Sequence, residues 1–488
     1  CECEHCRSVF SASAYLVDIL QFLKFSAPNQ TNPSESPFDI LFKRRPDIAH
    51  LPLTCENTHT VLPYIDLVNE VMEYYVVHDK LKPDTAYDTD QATTGELQAE
   101  PQYTMMAAYE KLADAVYPFS LPYHQPLDVI HSYLGHQKFK MADLISQFGD
   151  KGDPSFSPFH TALRLFMSPL QYEVISKETI EGTNSNIPLW ECYGYTAEQI
   201  SKSVDGNPTV RLWKDWLIEV PEFLKRSGLS YVELVELIKC RLINPHPEHI
   251  KYLEGLMAGT SYSSQQFYFL LDQINAGSQS LTGTPELQQA LQSAGIADTD
   301  FLNWLNNSFD DFKETITLYE PESSCNLSTT SIRTIRSIYD PSIEHGITDD
   351  QLSLKHRFIR LQRLLNWKIK DLDLMIRALG KEDIDAELLS HMAYVQDVKL
   401  RTKLGSDELG VLWGNIDYFK EKSLYRKLFL NRSIQQIDPV FDFDPEGRIL
   451  VNVQTIKDHL NVIQAALRLS VDEIKQIALN EGIDIQTD

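Results

Sequence analysis

The chain has little cysteine, glycine and proline, and it has no long uninterrupted hydrophobic run. Seven cysteines in 488 residues are too few for a disulfide scaffold. The 20 glycines and 24 prolines lie well below the proportion found in fibrous or low-complexity chains. Even the apolar stretch Leu62–Val77 is interrupted by Asp66, Glu70 and Glu73, so no stretch approaches the ~18 apolar residues of a membrane-spanning helix. These absences indicate a folded chain that does not span a membrane.

Positive charge is also scarce. The chain has 44 Lys and Arg residues against 69 Asp and Glu residues, which gives a formal net charge of −25. Because nucleic acids and anionic lipids are bound largely through Lys and Arg, we expect neither as a partner. The sequence begins with Cys1 and has no basic segment followed by an apolar one, so we expect a piece of a longer polypeptide.

The apolar residues recur with helical spacing almost throughout the chain, which predicts an all-α fold. A helix with one apolar face must bury it against a neighbour, so we expect packed antiparallel helical pairs in a multi-helix, shell-like array. Three apolar stripes illustrate the spacing: Leu16, Ile19, Leu20 and Leu23; Leu354, Phe358, Leu361 and Leu365; and Leu372, Met375, Ile376 and Leu379.

Five predicted helix starts combine a capping box with a hydrophobic staple. In a capping box, the N-cap Ser or Thr and the Glu or Gln at N3 bond each other's backbone amides, and in a staple the residue before the cap packs on N4. The first three N-caps are 34 and 33 residues apart, a spacing that suits helical pairs, although the tetratricopeptide pattern is absent. The five segments are Tyr195–Ile200, Leu229–Leu234, Tyr262–Phe267, Ile347–Leu352 and Leu469–Ile474.

Polar breaks predict three helical blocks, residues 1–150, 151–330 and 331–488. The first block contains an acidic stretch without apolar periodicity, residues 83–101, which we expect to be a mobile surface loop. In the last block, Val440–Phe443 and Arg448–Val453 alternate around a Pro/Gly turn and predict a small β-hairpin.

The N-terminus concentrates the residues that bind zinc. Cys3 and Cys6 have a usable ligand spacing, and Cys1, His5, Cys55 or His59 could complete a tetrahedral site. The second separated ligand pair of a strong zinc signature is missing, and cysteine is also a common buried residue. A structural zinc site and reduced, packed thiols therefore both stay open, and we predict no metal ligand.

Two further patterns are weaker. Asp442, Asp444, Glu446 and Gly447 resemble the front of a calcium loop, but Val453 occupies the position of the essential carboxylate, which favours a hairpin turn. The string His246-Pro247-Glu248-His249 has the wrong spacing for a zinc protease and predicts a helix-ending turn.

A connection between two apolar helices, residues 44–58, crowds together charged and amide side chains such as Arg45 and Asn57. It is either a hydrogen-bonded network or a solvated loop. No nucleophile elbow, phosphate-binding glycine loop or kinase motif occurs, so we predict no catalytic residue, no cofactor and no enzymatic activity.

The segments CECEHCRSVFSASAYLVDILQFL (1–23) and RRPDIAHLPLTCENTHTVLPYIDLVNEVMEYY (44–75) resemble the A component of the Tc (toxin complex) insecticidal toxins, a family also called virulence plasmid A proteins. Further resemblance, so that most of the chain is covered, lies in VPEFLKRSGLSYVELVELIKCRLINP (220–245), RFIRLQRLLNWKIKDLDLMIRAL (357–379) and LWGNIDYFKEKSLYRKLFLNRSI (412–434).

The resemblance implies a secreted segment of the α-helical shell that encloses the translocation channel of a pentameric cell-entry toxin. Its implied partners are the rest of the same large subunit, neighbouring protomers, and the B and C toxin components through other regions. Pore-forming helices and receptor-binding β-structure have no counterpart in this sequence.

Two alternatives stay open. The chain could be a stand-alone helical adaptor that binds a protein partner in a groove between helical pairs. It could also be a zinc-stabilised or Cys/His enzyme near Cys1–Cys6, which is the least supported of the three hypotheses.

Overall fold

A computed structural model describes residues 8–25, 36–44, 64–80, 104–149, 151, 156–176, 187–204, 213–244, 247–320, 326–343, 345–418, 423–431, 439–441 and 456–480. These residues form 25 α-helices, three short 3₁₀ helices and a single two-stranded sheet. The predicted all-α fold is therefore confirmed. Within these ranges, no helix has the length and apolar character required to cross a membrane.

The chain divides into two compact units. The first comprises Cys1–Ala115 and Leu121–Gln137, and the second comprises Val116–Ser120 and Lys138–Asp488. The predicted division into three blocks stays a prediction. The helices of the first unit are α1 (Ala12–Phe25), α2 (Pro37–Arg44), α3 (Tyr64–His78), α4 (Met106–Asp114) and α5 (Gln125–His136).

The first unit packs as helical pairs, α1 with α2 and α3 with α4. Glu73 of α3 connects its pair, because its carboxylate accepts hydrogen bonds from the Met105 amide (2.7 Å) and the Tyr109 hydroxyl. Burial and this hydrogen bond raise the pKa of Tyr109. Few side chains are buried in this unit: among its described residues, only Ser11, Glu73, Ala108 and Pro122.

The second unit contains the remaining helices. They are α6 (Met141–Phe148), α7 (Phe156–Arg164), α8 (Pro169–Ser176), α9 (Leu189–Cys192), α10 (Ala197–Val204), α11 (Trp213–Leu217), α12 (Val220–Ser227), α13 (Tyr231–Ile238), α14 (Pro247–Ala258), α15 (Ser264–Asn275), α16 (Pro285–Ser293), α17 (Asp298–Phe312), α18 (Ile335–Tyr339), α19 (Asp349–Leu365), α20 (Ile369–Ala378), α21 (Ala386–Thr402), α22 (Ser406–Gly410), α23 (Leu424–Phe429), α24 (Leu460–Leu467) and α25 (Val471–Asn480).

The sheet of the second unit pairs β1 (Ile316–Tyr319) with β2 (Ser331–Thr334) in antiparallel register, with Ile316 opposite Thr334. Asn244 fixes β1 to the end of α13. Its buried amide donates to the Ile238 and Ile316 carbonyls (2.7 and 2.8 Å) and accepts from the Ile316 amide (2.8 Å).

The hairpin predicted near residues 440–453 is wrong at its first two positions. Pro439–Phe441 forms a 3₁₀ helix, and residues 442–453 lie outside the described residues. The carbonyl of Phe441 accepts a hydrogen bond from the Tyr425 hydroxyl (3.0 Å), and its ring stacks on Phe429 (4.8 Å between centroids). Tertiary contacts with α23 therefore take the place of strand pairing at this point.

The second unit has two large hydrophobic clusters. One surrounds α19 and α20 and also draws buried side chains from α7–α9, α11–α13, α21 and α22, and the other lies among α14–α18. The three predicted apolar stripes lie on α1, α19 and α20, although α1 has no buried residue. Helix α19 is the most deeply buried of the three.

Candidate functional site

The five predicted capping boxes are confirmed. At α13, the Glu233 carboxylate accepts from the Ser230 amide (2.8 Å), and the Ser230 hydroxyl accepts from the Glu233 amide (3.3 Å). The same reciprocal pairs join Thr196 with Gln199, Ser263 with Gln266, Thr348 with Gln351 and Ser470 with Glu473. The staple residues Leu229 and Leu234, and likewise Ile347 and Leu352, are buried in the same cluster.

Helix α19 begins at one of these boxes and places basic side chains inside the hydrophobic core. Lys355, His356, Arg357 and Arg360 are each at most 2% exposed. Burying a cation costs free energy unless polar atoms surround it. The hydrogen-bond partners of these side chains therefore show which parts of the chain the helix holds in place.

Arg360 holds a segment that is distant in sequence. Its guanidinium donates to the carbonyls of Val116 and Phe119, the latter at 3.3 Å, and lies 4.9 Å from the centre of the Phe119 ring. Its Nε also donates to Nδ1 of His356 (3.3 Å). Burial lowers the pKa of Arg360 to about 10, so the side chain stays charged at neutral pH.

Arg357 and Arg363 fix two other places. Arg357 donates to the Ile384 carbonyl (2.5 Å) and to Asp383 (2.7 Å), immediately before α21. Arg363 donates to the carbonyl of Ser227 (2.6 Å), at the end of α12. Together with Arg360, these side chains connect α19 to three chain segments through their backbone oxygens. We call Arg357, Arg360 and Arg363 the arginine hub.

Lys355 and His356 are less well satisfied. The ammonium of Lys355 lies 3.4 Å from the Gln351 carbonyl, and burial lowers its pKa to about 7. Because Nδ1 of His356 accepts from Arg360, the neutral ring carries its proton on Nε2, which has no hydrogen-bond partner among the described residues. Burial, followed by the charges of Arg360 and Arg357, holds the pKa of His356 well below its usual value.

Aromatic rings surround His356 in the core. His356 lies between the rings of Phe119 and Tyr193, at 6.2 and 5.9 Å between centroids. The thiol of Cys192 is fully buried, and burial raises its pKa to about 11, so it is a poor nucleophile. The arrangement can hold chain segments together.

Most sequence-predicted candidates lie outside the described residues. These are Cys1, Cys3, His5, Cys6, Cys55 and His59, the acidic residues of 442–447 with Val453, the polar connection 45–58, and the acidic loop 83–101. In the part of the chain that the structure describes, no three His, Cys, Asp or Glu side chains are placed to hold a metal ion.

The helix-ending turn predicted at His246–His249 is wrong. Helix α14 begins at Pro247, because proline suits the first helical turn, where no amide donor is needed. Nδ1 of His249 accepts a hydrogen bond from the Trp304 indole (3.3 Å). His246 lies outside the described residues.

Sequence reasoning did not identify the arginine hub. A signal was present, since Arg357 and Arg360 enclose the apolar pair Phe358-Ile359 within the helix. Such basic residues are usually assigned to a solvated face, and only the surrounding helices place them inside.

Residues 1–188 match the family described as Salmonella virulence plasmid 28.1kDa A protein. The resemblance to virulence plasmid A proteins is therefore confirmed over this part of the chain. No curated protein and no solved structure matches the chain.

Proposed function

We propose that this chain, which matches the virulence plasmid A family over residues 1–188, is a non-catalytic structural segment of a Tc-toxin A-type subunit. In this function its helices form part of the secreted α-helical shell around the translocation channel of a pentameric assembly. Its partners are the rest of the same subunit and the neighbouring protomers, and the B and C components bind other regions.

The arginine hub carries the proposal. A casing must keep its helices in fixed positions, and α19 bonds carbonyls from segments as far as 244 positions away in the chain. Buried charge-assisted hydrogen bonds are directional, so they favour one arrangement of the surrounding segments. A sealed core of this kind supports a structural role better than a catalytic one.

Electron microscopy of the native particle that contains this chain tests the proposal. A gold-labelled tag inserted in the predicted surface loop 83–101 should mark five positions on the outside of a hollow particle. An untagged particle provides the control. A single label, or labels on the channel axis, would contradict the shell function, and a monomeric chain bound to an unrelated protein would favour the adaptor alternative.

A further inference from the structure

Three helical hairpins of the second unit share one type of corner. In each, the first helix ends at a residue in the left-handed conformation, an apolar residue follows, and the residue after that directly precedes the second helix. The left-handed residues are Gly228 between α12 and α13, Asn366 between α19 and α20, and Arg468 between α24 and α25. Because the corners match, positions counted from them can be compared among the three hairpins.

The first two of these hairpins pair with each other. Helix α13 packs on α20, and the Leu242 amide, just after α13, donates to the Asp373 carboxylate of α20 (3.0 Å). The seventh residue after the N-cap is Leu237 in α13 and Met375 in α20, and both side chains are fully buried in the same hydrophobic cluster. In the paired hairpins, this apolar position is therefore closed to solvent.

The third hairpin exposes the positions that the paired hairpins bury. Ile477 of α25, the seventh residue after Ser470, is 52% exposed, whereas its two counterparts are fully buried. Leu467, immediately before the corner, is 42% exposed, whereas Ser227 and Leu365 at this position are buried. The α24–α25 hairpin thus has the apolar positions of a paired hairpin without their cover.

Only one side of the third hairpin is occupied by a neighbouring helix. Helix α24 packs on α23, where Ala466 is buried and Val462 lies against the same small cluster. In α25, Ile474 and Ala478 are buried and flank the exposed Ile477 on one face of the helix. This face is continuous with the core of the hairpin and ends at an open edge.

We infer that the α24–α25 hairpin pairs with the same hairpin of a second copy of this chain. Within one chain, α12–α13 and α19–α20 show that two hairpins with this corner cover each other. Two copies each present one such hairpin with exposed positions, so a two-fold contact covers both at once. Ile477 and Leu467 form the apolar part of the contact. The inference is independent of the proposed shell function, which concerns five copies around a channel.

Sedimentation velocity of the full chain from about 1 μM to about 1 mM tests the inference. We expect a reversible monomer–dimer equilibrium without larger species, because a two-fold contact closes on itself. Ile477→Ser and Leu467→Ser should each weaken the dimer by about tenfold or more, because each substitution removes an apolar side chain from both halves of the contact. Added salt should strengthen the dimer, since it screens the repulsion between two copies that each carry a net charge of −25.

Leu479→Ser is the matched control. Leu479 is 66% exposed on the same helix, but it lies two residues beyond Ile477 and so about 200° around the helix axis. This substitution removes as much exposed apolar surface from α25 without touching the proposed contact, so the dimer should keep its affinity. A loss of affinity equal to that of Ile477→Ser would show that the association is not specific to this face.

Hydrogen exchange of the unchanged chain at low and high concentration identifies the paired helix without any substitution. The amides of α25 should exchange more slowly in the concentrated sample, and those of α15 should not change. A chain that stays monomeric, growth beyond dimers, dimers that Ile477→Ser and Leu467→Ser do not weaken, or α25 exchange that does not depend on concentration would each overturn the inference. None of these results bears on the shell function, which the gold-labelled particle tests separately.

Discussion

The buried cations of α19 are balanced mainly by backbone oxygens. Arg357 bonds the carboxylate of Asp383 as well as a carbonyl. Arg360 instead donates to the carbonyls of Val116 and Phe119. Carbonyl oxygens carry only partial charge. The stability of a buried guanidinium therefore depends more on the positions of these oxygens than on the net charge around it. Removing one guanidinium would leave these buried oxygens without donors.

We therefore expect Arg360→Met to lower the free energy of unfolding of the second unit by about 3–5 kcal/mol. Arg360→Lys should also destabilise, because an ammonium cannot bond two carbonyls with the geometry of the guanidinium fork. Urea unfolding followed by tryptophan fluorescence measures both. The control is Arg336→Ala, whose surface ion pair with Glu314 (3.4 Å) should contribute about 1 kcal/mol or less. Equal decreases in the free energy of unfolding for Arg360→Met and Arg336→Ala would contradict a stabilising role of the arginine hub.

Lys355 makes stability depend on pH in a specific direction. Burial lowers its pKa from 10.5 to about 7 in the folded chain, so the unfolded chain binds more protons between these values. The contribution of Lys355 to stability therefore rises as pH increases from about 7 to about 10.5. Lys355→Met should stabilise the protein at pH 7 and remove this rise, as measured by urea unfolding across the range. An unchanged pH profile would show that Lys355 is solvated.

At the scale of single elements, helix starts are fixed by local hydrogen bonds. Each of the five capping boxes satisfies two backbone amides that the helix itself leaves free. Where the staple residues are buried, as at Leu229 and Leu234, the same six residues also set how the helix enters the core. This combination explains why these starts could be predicted from sequence.

Ser230→Ala should lower the free energy of unfolding by about 1 kcal/mol, because the Glu233 amide loses its acceptor. The backbone and side-chain hydrogen bonds from Ser230 lower the pKa of Glu233, so the stability that they provide is lost as pH falls below about 4.5. Chemical denaturation at neutral and acidic pH measures both effects. Ser293→Ala is the control, since Ser293 is exposed near the end of α16 and bonds only the Gln289 carbonyl (2.8 Å). An equal decrease in the free energy of unfolding for Ser230→Ala and Ser293→Ala would show that the capping box at Ser230 contributes nothing specific.

At the scale of the whole molecule, burial differs between the two units. The second unit contains both large hydrophobic clusters, whereas α1 of the first unit has no buried residue, and Phe22 and Phe25 are 73% and 83% exposed. Helices with few buried contacts open at low free-energy cost. The two units should therefore differ in local stability.

Hydrogen exchange measured by mass spectrometry should find the slowest amides in α19, α20 and α21. The amides of α1 should exchange much faster, because its opening exposes little additional apolar surface. The destabilising substitution Arg360→Met should increase the exchange rate of the α19 amides and leave the exchange rate of the α1 amides unchanged. Equal protection of α1 and α19 in the unchanged chain would contradict this distribution of stability.

The sequence by itself determined the helical class, the five capped helix starts and the resemblance to the virulence plasmid A family. These features depend on residues within one or two helical turns of each other, or on matching segments, so no knowledge of distant contacts is needed. Tertiary structure decided the rest. It turned Val440 and Phe441 from a predicted strand into a 3₁₀ helix against α23, and it placed Pro247 and His249 in the first turn of α14. It also placed Arg360 beside Val116 and Phe119, because the free energy of burying a cation depends on oxygens that only folding brings to it.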